Sequence, residues 1–201
     1  NRTYNKIIEE KEEVSRNVNW KLIKFEFDNL FNYGEDNVVN FGSLNGIVGI
    51  FGKNFSGKSS IIDAALYTLF NTTSKNERKN LNVINQNRET GNGKLTIECN
   101  NKIYIIERES KKYVKRLKGE ETQEAKTDLN FEVHDTISNE VTSLNGLSRI
   151  HTDSNIRKHF GACEDFLISS MASQHGALSF IDEGSTRRKE VIAKFLDLEI
   201  F

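Results

Sequence analysis

A glycine-rich loop between an apolar segment and a helical pattern is the feature that most constrains this chain. Residues 46–51 are all glycine or apolar, which predicts a buried central strand. Residues 52–59 read GKNFSGKS and match the pattern GxxxxGK(S/T) in full. Apolar residues then recur at helical spacing over residues 60–70. A strand, a glycine loop and a helix in this order predict an α/β fold with a phosphate-binding loop, or P-loop.

The chemistry of phosphate binding explains the residue types in this loop. Glycines allow consecutive backbone amides to converge on phosphate oxygens, and the following helix points the positive end of its dipole at them. Lys58 is predicted to reach the β- and γ-phosphates of a nucleotide as a catalytic residue, and the Ser59 hydroxyl to bind Mg2+. The predicted loop covers residues 52–60, and its nucleotide-binding residues are Gly52, Phe55, Ser56, Gly57, Lys58, Ser59 and Ser60.

The rest of the chain shows shorter patterns. Residues 1–19 predict a charged helical leader or linker, and Trp20 begins an alternating pattern that predicts a half-buried strand. Short strand patterns separated by turns at Asn100 and Asn145 recur over residues 94–144, which predicts an antiparallel β-meander. Residues 152–160 and 185–198 predict helices, and residues 166–173 predict an apolar strand. We therefore expect a mixed sheet that carries the P-loop helix.

Composition excludes several classes of protein. The 28 basic and 29 acidic residues leave a net charge of −1, so any contact with nucleic acid must come from a local patch. No apolar run approaches the length of a membrane span, so we expect no membrane partner. Cys99 and Cys163 lack metal-site spacing, which argues against a disulfide scaffold or a zinc site. The absence of proline suggests an AT-rich coding sequence, as in a low-GC bacterium or a phage.

Residues 20–70 resemble the N-terminal head lobe of SMC-type DNA-repair ATPases, most closely the SbcC/Rad-fifty branch and its phage counterparts. The resemblance rests on a strand, the turn at residues 29–33, a second short strand and the run GIVGIFGKNFSGKSSIIDAALYTLF. It implies ATP as the nucleotide and adds Asn54 of the loop and Asn32 of the turn to the nucleotide-binding residues. Two positions differ from the family, because Phe55 replaces its second glycine and Phe31 replaces a basic residue often found in the turn.

A second block of resemblance lies near the end of the chain. The run FLISSMASQHG at residues 166–176 looks like the start of the family's Q-loop region, here residues 166–183, where a glutamine binds Mg2+ and senses the γ-phosphate. Gln174 takes that position and is the second predicted catalytic residue and metal ligand, although His175 interrupts the usual Gln–Gly pair. Residues 185–201 look like the beginning of the family's coiled-coil helix. The two blocks and the meander extend the resemblance over residues 20–201.

The resemblance also implies a function. Proteins of this family are ATPases whose heads dimerise around ATP and couple its hydrolysis to the repair of DNA double-strand breaks or the processing of DNA ends. The implied partners are a second head, the chain's own C-terminal lobe, double-stranded DNA and an SbcD-like nuclease subunit, in the cytoplasm of a bacterium or of a phage-infected cell. The family's acidic Mg2+ ligand and signature motif lie in the C-terminal lobe, so we expect the 201-residue chain alone to be inactive.

Two groups of charged residues leave their roles open from sequence. Four basic residues predict either a solvated hairpin face or a contact with DNA phosphates, namely Lys111, Lys112, Lys115 and Arg116. Asp182 and Glu183 superficially match the acidic pair of an ATPase, but Ser179 interrupts the apolar run before them and a basic helix follows. A self-contained small NTPase is an alternative only if Asp182 is the Mg2+ ligand.

Two further functions share this loop. A clamp or tether similar to RecN would use the same lobe to hold DNA with no nuclease. A nucleotide-binding subunit of an ABC transporter would turn its Q-loop toward membrane helices. Sequence beyond residue 201 would distinguish a clamp or tether from an ATPase that works with a nuclease. Co-purification with an integral membrane protein would identify a transporter subunit.

Overall fold

The structure is a computed structural model that describes residues 20–74, 80–117, 120–163, 166–167 and 184–195. The chain divides into two compact units, Asn1–Phe160 and Gly161–Phe201. The first unit holds six strands and two α-helices among its described residues, and in the second one α-helix has described bounds. None of the described helices is long and apolar enough to cross a membrane.

The six strands of the first unit form one antiparallel sheet in the order β2-β1-β3-β4-β5-β6. Their bounds are β1 Lys21–Asp28, β2 Asn37–Val39, β3 Thr90–Cys99, β4 Lys102–Leu117, β5 Glu120–Asp135 and β6 Val141–Ser143. The predicted meander is confirmed, and it begins at Thr90 rather than at residue 94. Asn100 and Asn101 both have positive φ and join β3 to β4, as a tight two-residue hairpin requires.

The β4–β5 hairpin is longer than the sheet that contains it. Its pairing runs from Lys102 opposite Asp135 to Leu117 opposite Glu120, whereas β3 pairs with β4 only as far as Lys111. Residues 112–117 and 120–125 therefore form a two-stranded ribbon that no third described strand joins. We call this segment the ribbon.

Two helices cover one face of the sheet. Helix α1 spans Ser60–Phe70 and helix α2 spans Arg149–Phe160. The covered face carries the buried residues of the core, among them Phe25, Leu95, Ile97, Ile106 and Phe131. A side chain at Gly93 would collide with the Thr68 hydroxyl, so this glycine lets α1 lie directly on the backbone of β3. The opposite face of the sheet is charged, with ion pairs such as Lys94–Glu107.

A fully buried arginine joins the two helices to the sheet. Arg108 of β4 is 0% exposed, its Nε donates a hydrogen bond to the Thr68 carbonyl of α1 at 3.0 Å, and its Nη2 pairs with Asp153 of α2 at 2.6 Å. Burial lowers the pKa of Arg108, while the Asp153 carboxylate opposes that effect. This guanidinium therefore joins the last turn of α1 and helix α2 to the sheet.

Residues 46–51 do not form the predicted buried strand. They pair with no described strand, and Ile47 and Phe51 are 104% and 93% exposed. A strand that is apolar on both faces is stable only between two neighbouring strands and under packing on both faces. Residues 46–51 have no such neighbours here, because β2 and β6 are the edges of the described sheet. The expected mixed sheet is accordingly antiparallel in all its described pairs.

The second unit contains helix α3, Ser185–Phe195, which begins at the residue predicted from the sequence. Residues 166–167 are helical, in contrast to the predicted strand, and residues 168–173 lie outside the described part of the chain. The extension of the coiled-coil helix to residue 201 also lies outside it.

Replacing Arg108 with methionine should destabilise the first unit strongly. The substitution keeps an apolar stem but leaves the Asp153 carboxylate, only 13% exposed, without its cation. We expect the free energy of unfolding to fall by about 3 to 5 kcal/mol in urea titrations. Lys94→Met removes the exposed pair with Glu107 and should cost less than about 1 kcal/mol. Equal losses in the two variants would show that Arg108 does not hold the helices.

Candidate nucleotide-binding site

The predicted P-loop lies on the surface of the first unit, directly before α1. Residues 52–56 are exposed, and the chain reverses through Phe55 and Gly57, which have φ of 64° and 89°. Phe55 thus adopts at the family's usual glycine position the backbone conformation that glycine adopts most easily, and its side chain is 98% exposed. The loop keeps the glycine-like shape without the glycine.

Lys58 closes the loop on itself. Its Nζ donates hydrogen bonds to the carbonyl oxygens of Gly52 at 2.9 Å and Lys53 at 2.6 Å. The ammonium therefore lies across the loop, within reach of a group that enters it. A phosphate that binds there would offer Lys58 stronger, charged acceptors in place of the two carbonyls.

The helix end supplies the remaining groups of a phosphate site. Ser59 caps α1 and already has helical backbone angles, and its side chain makes no capping hydrogen bond. Its hydroxyl can therefore approach a metal ion at the positive end of the helix dipole, while the amides of Ser60 and Ile62 donate to the Gly57 and Ser59 carbonyls. Among the described residues, no three His, Cys, Asp or Glu side chains group as a metal site. Of the two predicted Mg2+ ligands, Ser59 lies among the described residues and Gln174 lies outside them.

The turn at residues 29–33 supports the loop from its other side. The Tyr33 hydroxyl donates a hydrogen bond to the Gly57 carbonyl at 2.9 Å, and Asn32 Nδ2 reaches the Phe55 carbonyl at 3.5 Å. A side chain at Gly57 would come within 3.4 Å of the Tyr33 ring. Burial raises the pKa of the Tyr33 hydroxyl, which favours its protonated, donating form.

The structure brings together most of the predicted nucleotide-binding residues. Asn32 contacts the loop, and a Cβ at Gly52 would lie 2.9 Å from the Ser56 hydroxyl, so these two residues meet across the loop. Asn54 is exposed at the loop tip. Gln174 lies outside the described residues, as do Asp182 and Glu183. Sequence reasoning missed Tyr33, whose only signal was an aromatic residue in the turn before the loop.

The four basic residues of the hairpin do not share one face. Lys112 is buried, and its Nζ donates hydrogen bonds to the Asn85 and Gln86 carbonyls. Lys111 and Lys115 point to the opposite face because side chains alternate along a strand, and Lys115 pairs with Glu124. Arg116 pairs with Glu121. The exposed cations are thus largely neutralised by carboxylates of the neighbouring strand.

The chain matches one protein family and is similar to several known proteins. A family model described as an AAA domain matches residues 4–199. The chain is 28% identical over 203 residues, 98% of its length, to an uncharacterised protein of Acanthamoeba polyphaga mimivirus. It is 40% identical over 75 residues, 37% of its length, to the DNA double-strand break repair Rad50 ATPase of Sulfolobus acidocaldarius. The chain covers 14% and 8% of the lengths of these two proteins.

Two solved structures of the recombination mediator protein RecF also match, one of them described as RecF-ATP. They have TM-scores of 0.45 and 0.44 and sequence identities of 16% and 18%. Each match covers 89% of this chain, and 38% and 41% of the RecF chains.

Removing the Lys58 ammonium should abolish nucleotide binding without unfolding the protein. Among the described residues, Lys58 bonds to carbonyls of the exposed loop, so Lys58→Ala should leave the melting temperature within about 2 °C of wild type. We expect Mg-ATP to raise the melting temperature of wild type and not of this variant. Lys53→Ala is the matched control, since only the backbone of Lys53 is used. An undiminished shift in Lys58→Ala would remove the P-loop assignment.

Proposed function

Because this chain belongs to the AAA domain family, we propose that it is the N-terminal ATP-binding lobe of a larger SMC-type ATPase that acts in the processing of DNA ends. The proposal is carried by the P-loop itself, in which Lys58, Ser59 and the start of α1 converge. The 75-residue similarity to the Rad50 ATPase supports the SMC type. Binding of ATP with Mg2+ would place the phosphates at Lys58 and the metal at Ser59, and the metal would neutralise phosphate charge.

The exposed apolar segment beside the loop supports the proposal of a further lobe. Ile47 and Phe51 are almost fully exposed, and Val48 and Ile50 are more than half exposed. A soluble protein rarely leaves so many contiguous large apolar side chains in water. We expect residues 46–51 to become a central strand when strands from the C-terminal lobe of the same polypeptide pair with them. That lobe would also carry the acidic Mg2+ ligand.

The remaining proposed partners follow from the family that the sequence resembles. They are a second head that dimerises with this one around ATP, double-stranded DNA and an SbcD-like nuclease subunit. Of the four basic residues proposed for DNA contact, Lys111, Lys115 and Arg116 are exposed and can reach a phosphate, although two of them must leave a carboxylate to do so. DNA contact through these cations would therefore weaken with salt.

The isolated chain should bind Mg-ATP weakly and hydrolyse it at the background rate. The groups that orient the attacking water are expected in the further lobe, while the P-loop alone holds the phosphates. Calorimetric titration with Mg-ATP and steady-state phosphate release test the two halves of this statement. Turnover of about one per second or faster would mean that this chain contains all the catalytic groups. Asp182 and Glu183 would then be the candidates for the acidic catalytic residues.

In the full-length polypeptide, Gln174→Ala should lower turnover far more than ATP affinity. A residue that senses the γ-phosphate acts mainly after the heads have closed, whereas Lys58 holds the phosphates throughout. Asp182→Asn is the comparison variant, because the small-NTPase alternative assigns the Mg2+ to Asp182. Normal turnover in Gln174→Ala together with lost turnover in Asp182→Asn would contradict the Q-loop assignment. Turnover and nucleotide affinity are measured for both variants.

A further inference from the structure

The turn that supports the P-loop is itself held by the segment at residues 80–89. The Phe31 amide donates to the Val83 carbonyl, and the Asn85 amide donates to the Asn29 carbonyl, both at 2.8 Å. Asn85 Nδ2 donates to the Tyr33 carbonyl at 3.0 Å. Asn29 and Phe31 have φ of 53° and 52°, a left-handed conformation that asparagine adopts readily but that is unfavourable for phenylalanine. The shape of the turn therefore depends on its contacts with this segment.

Lys112, at the base of the ribbon, fastens the same segment to the sheet. Its Nζ donates hydrogen bonds to two consecutive carbonyls, Asn85 at 3.0 Å and Gln86 at 3.2 Å. Its backbone amide donates to the Glu89 carbonyl at 2.8 Å. The side chain and the amide of this one lysine thus hold both ends of the five-residue stretch from Asn85 to Glu89.

Lys112 is more deeply buried than a lysine in a β-strand usually is. It is 9% exposed on the covered face of the sheet, whereas its neighbour Lys111 is exposed on the other face. Among the described residues, no carboxylate forms an ion pair with Lys112, so neutral carbonyls alone offset the burial of its charge. A buried ammonium is costly to keep in this setting, and an apolar residue would fill the same space without that cost. The ammonium makes hydrogen bonds to two backbone carbonyls that an apolar side chain could not make.

We propose that Lys112 is a positioning residue for the P-loop, acting through Asn85 and Tyr33. Lys112 fixes the carbonyl of Asn85, the Asn85 side chain fixes the carbonyl of Tyr33, and the Tyr33 hydroxyl fixes Gly57 of the loop. Each link is a hydrogen bond within the first unit, and the last one ends directly before Lys58. The inference rests on the proposed function only in naming nucleotide phosphate as the ligand of the loop.

A positioning role for Lys112 is incompatible with the DNA contact that the sequence suggested for this residue. Its two bonded protons face the carbonyls of Asn85 and Gln86, so the side chain cannot extend to a phosphate without releasing that segment. The same reasoning does not apply to Lys111, which lies one residue away and faces the opposite side of the sheet. Lys111 is therefore the matched control for Lys112.

The test compares Lys112→Met, Asn85→Ala and Tyr33→Phe with the control Lys111→Met, all in the 201-residue chain. Amide resonances of Gly57 and Lys58 report the position of the loop without nucleotide. We expect the three variants to move both resonances along one direction, with Tyr33→Phe moving them furthest because its change is nearest. We expect each variant to weaken Mg-ATP binding about threefold to tenfold, and the pair Lys112→Met with Tyr33→Phe to be less than additive. Lys111→Met should change neither quantity.

Loss of stability alone would overturn the proposal. If Lys112→Met lowers the melting temperature but leaves the Gly57 resonance and Mg-ATP affinity where Lys111→Met leaves them, the lysine is merely structural. If Lys112→Met does not fold, Asn85→Ala decides, because it breaks the same chain of hydrogen bonds one step later and keeps the carbonyls that Lys112 binds. If wild type binds no Mg-ATP, the proposed function fails, and the loop resonances still decide the role of Lys112.

Discussion

The buried guanidinium of Arg108 is the interaction on which the rest of the first unit depends. It joins the central strand β4 to the last turn of α1 and to α2 through one hydrogen bond and one ion pair. Because it is fully buried, its charge is acceptable only while both partners stay in place. Helix α1 therefore has a fixed position on the sheet, and its N-terminal end presents the P-loop from that position.

The P-loop is thus positioned from two sides by different means. On one side α1 carries it, and the absence of a side chain at Gly93 allows that helix to lie close to β3. On the other side Tyr33 holds Gly57, in a turn that Asn85 and Lys112 support. Both attachments lie at the C-terminal end of the loop, because residues 46–51 on its N-terminal side are exposed. Its tip, including Asn54 and Phe55, stays exposed.

The charges of the hairpin have two separate uses. On one face and along the ribbon, cations of β4 face carboxylates of β5, as in the pairs Lys115–Glu124 and Arg116–Glu121, and such exposed pairs add little stability. On the covered face, Arg108 and Lys112 bind backbone carbonyls of α1 and of the 80–89 segment. The two buried cations therefore hold α1 and the 80–89 segment against the sheet, while Lys115 and Arg116 are paired with carboxylates on the exposed surface.

Local patterns in the sequence determined the P-loop, helix α1, the meander and the turn at Asn100, because periodicity and backbone preference depend on neighbouring residues. The family model confirms the P-loop ATPase fold class that these patterns predicted. Only the tertiary structure decided that residues 46–51 are exposed, that Tyr33 meets Gly57 and that Lys112 is buried. A lysine in an alternating strand gives no local sign of which face is covered, and Tyr33 reaches Gly57 across 24 residues of chain. Such contacts depend on the path of the whole chain, because helices and segments distant in sequence cover one face of the sheet and leave the other in water.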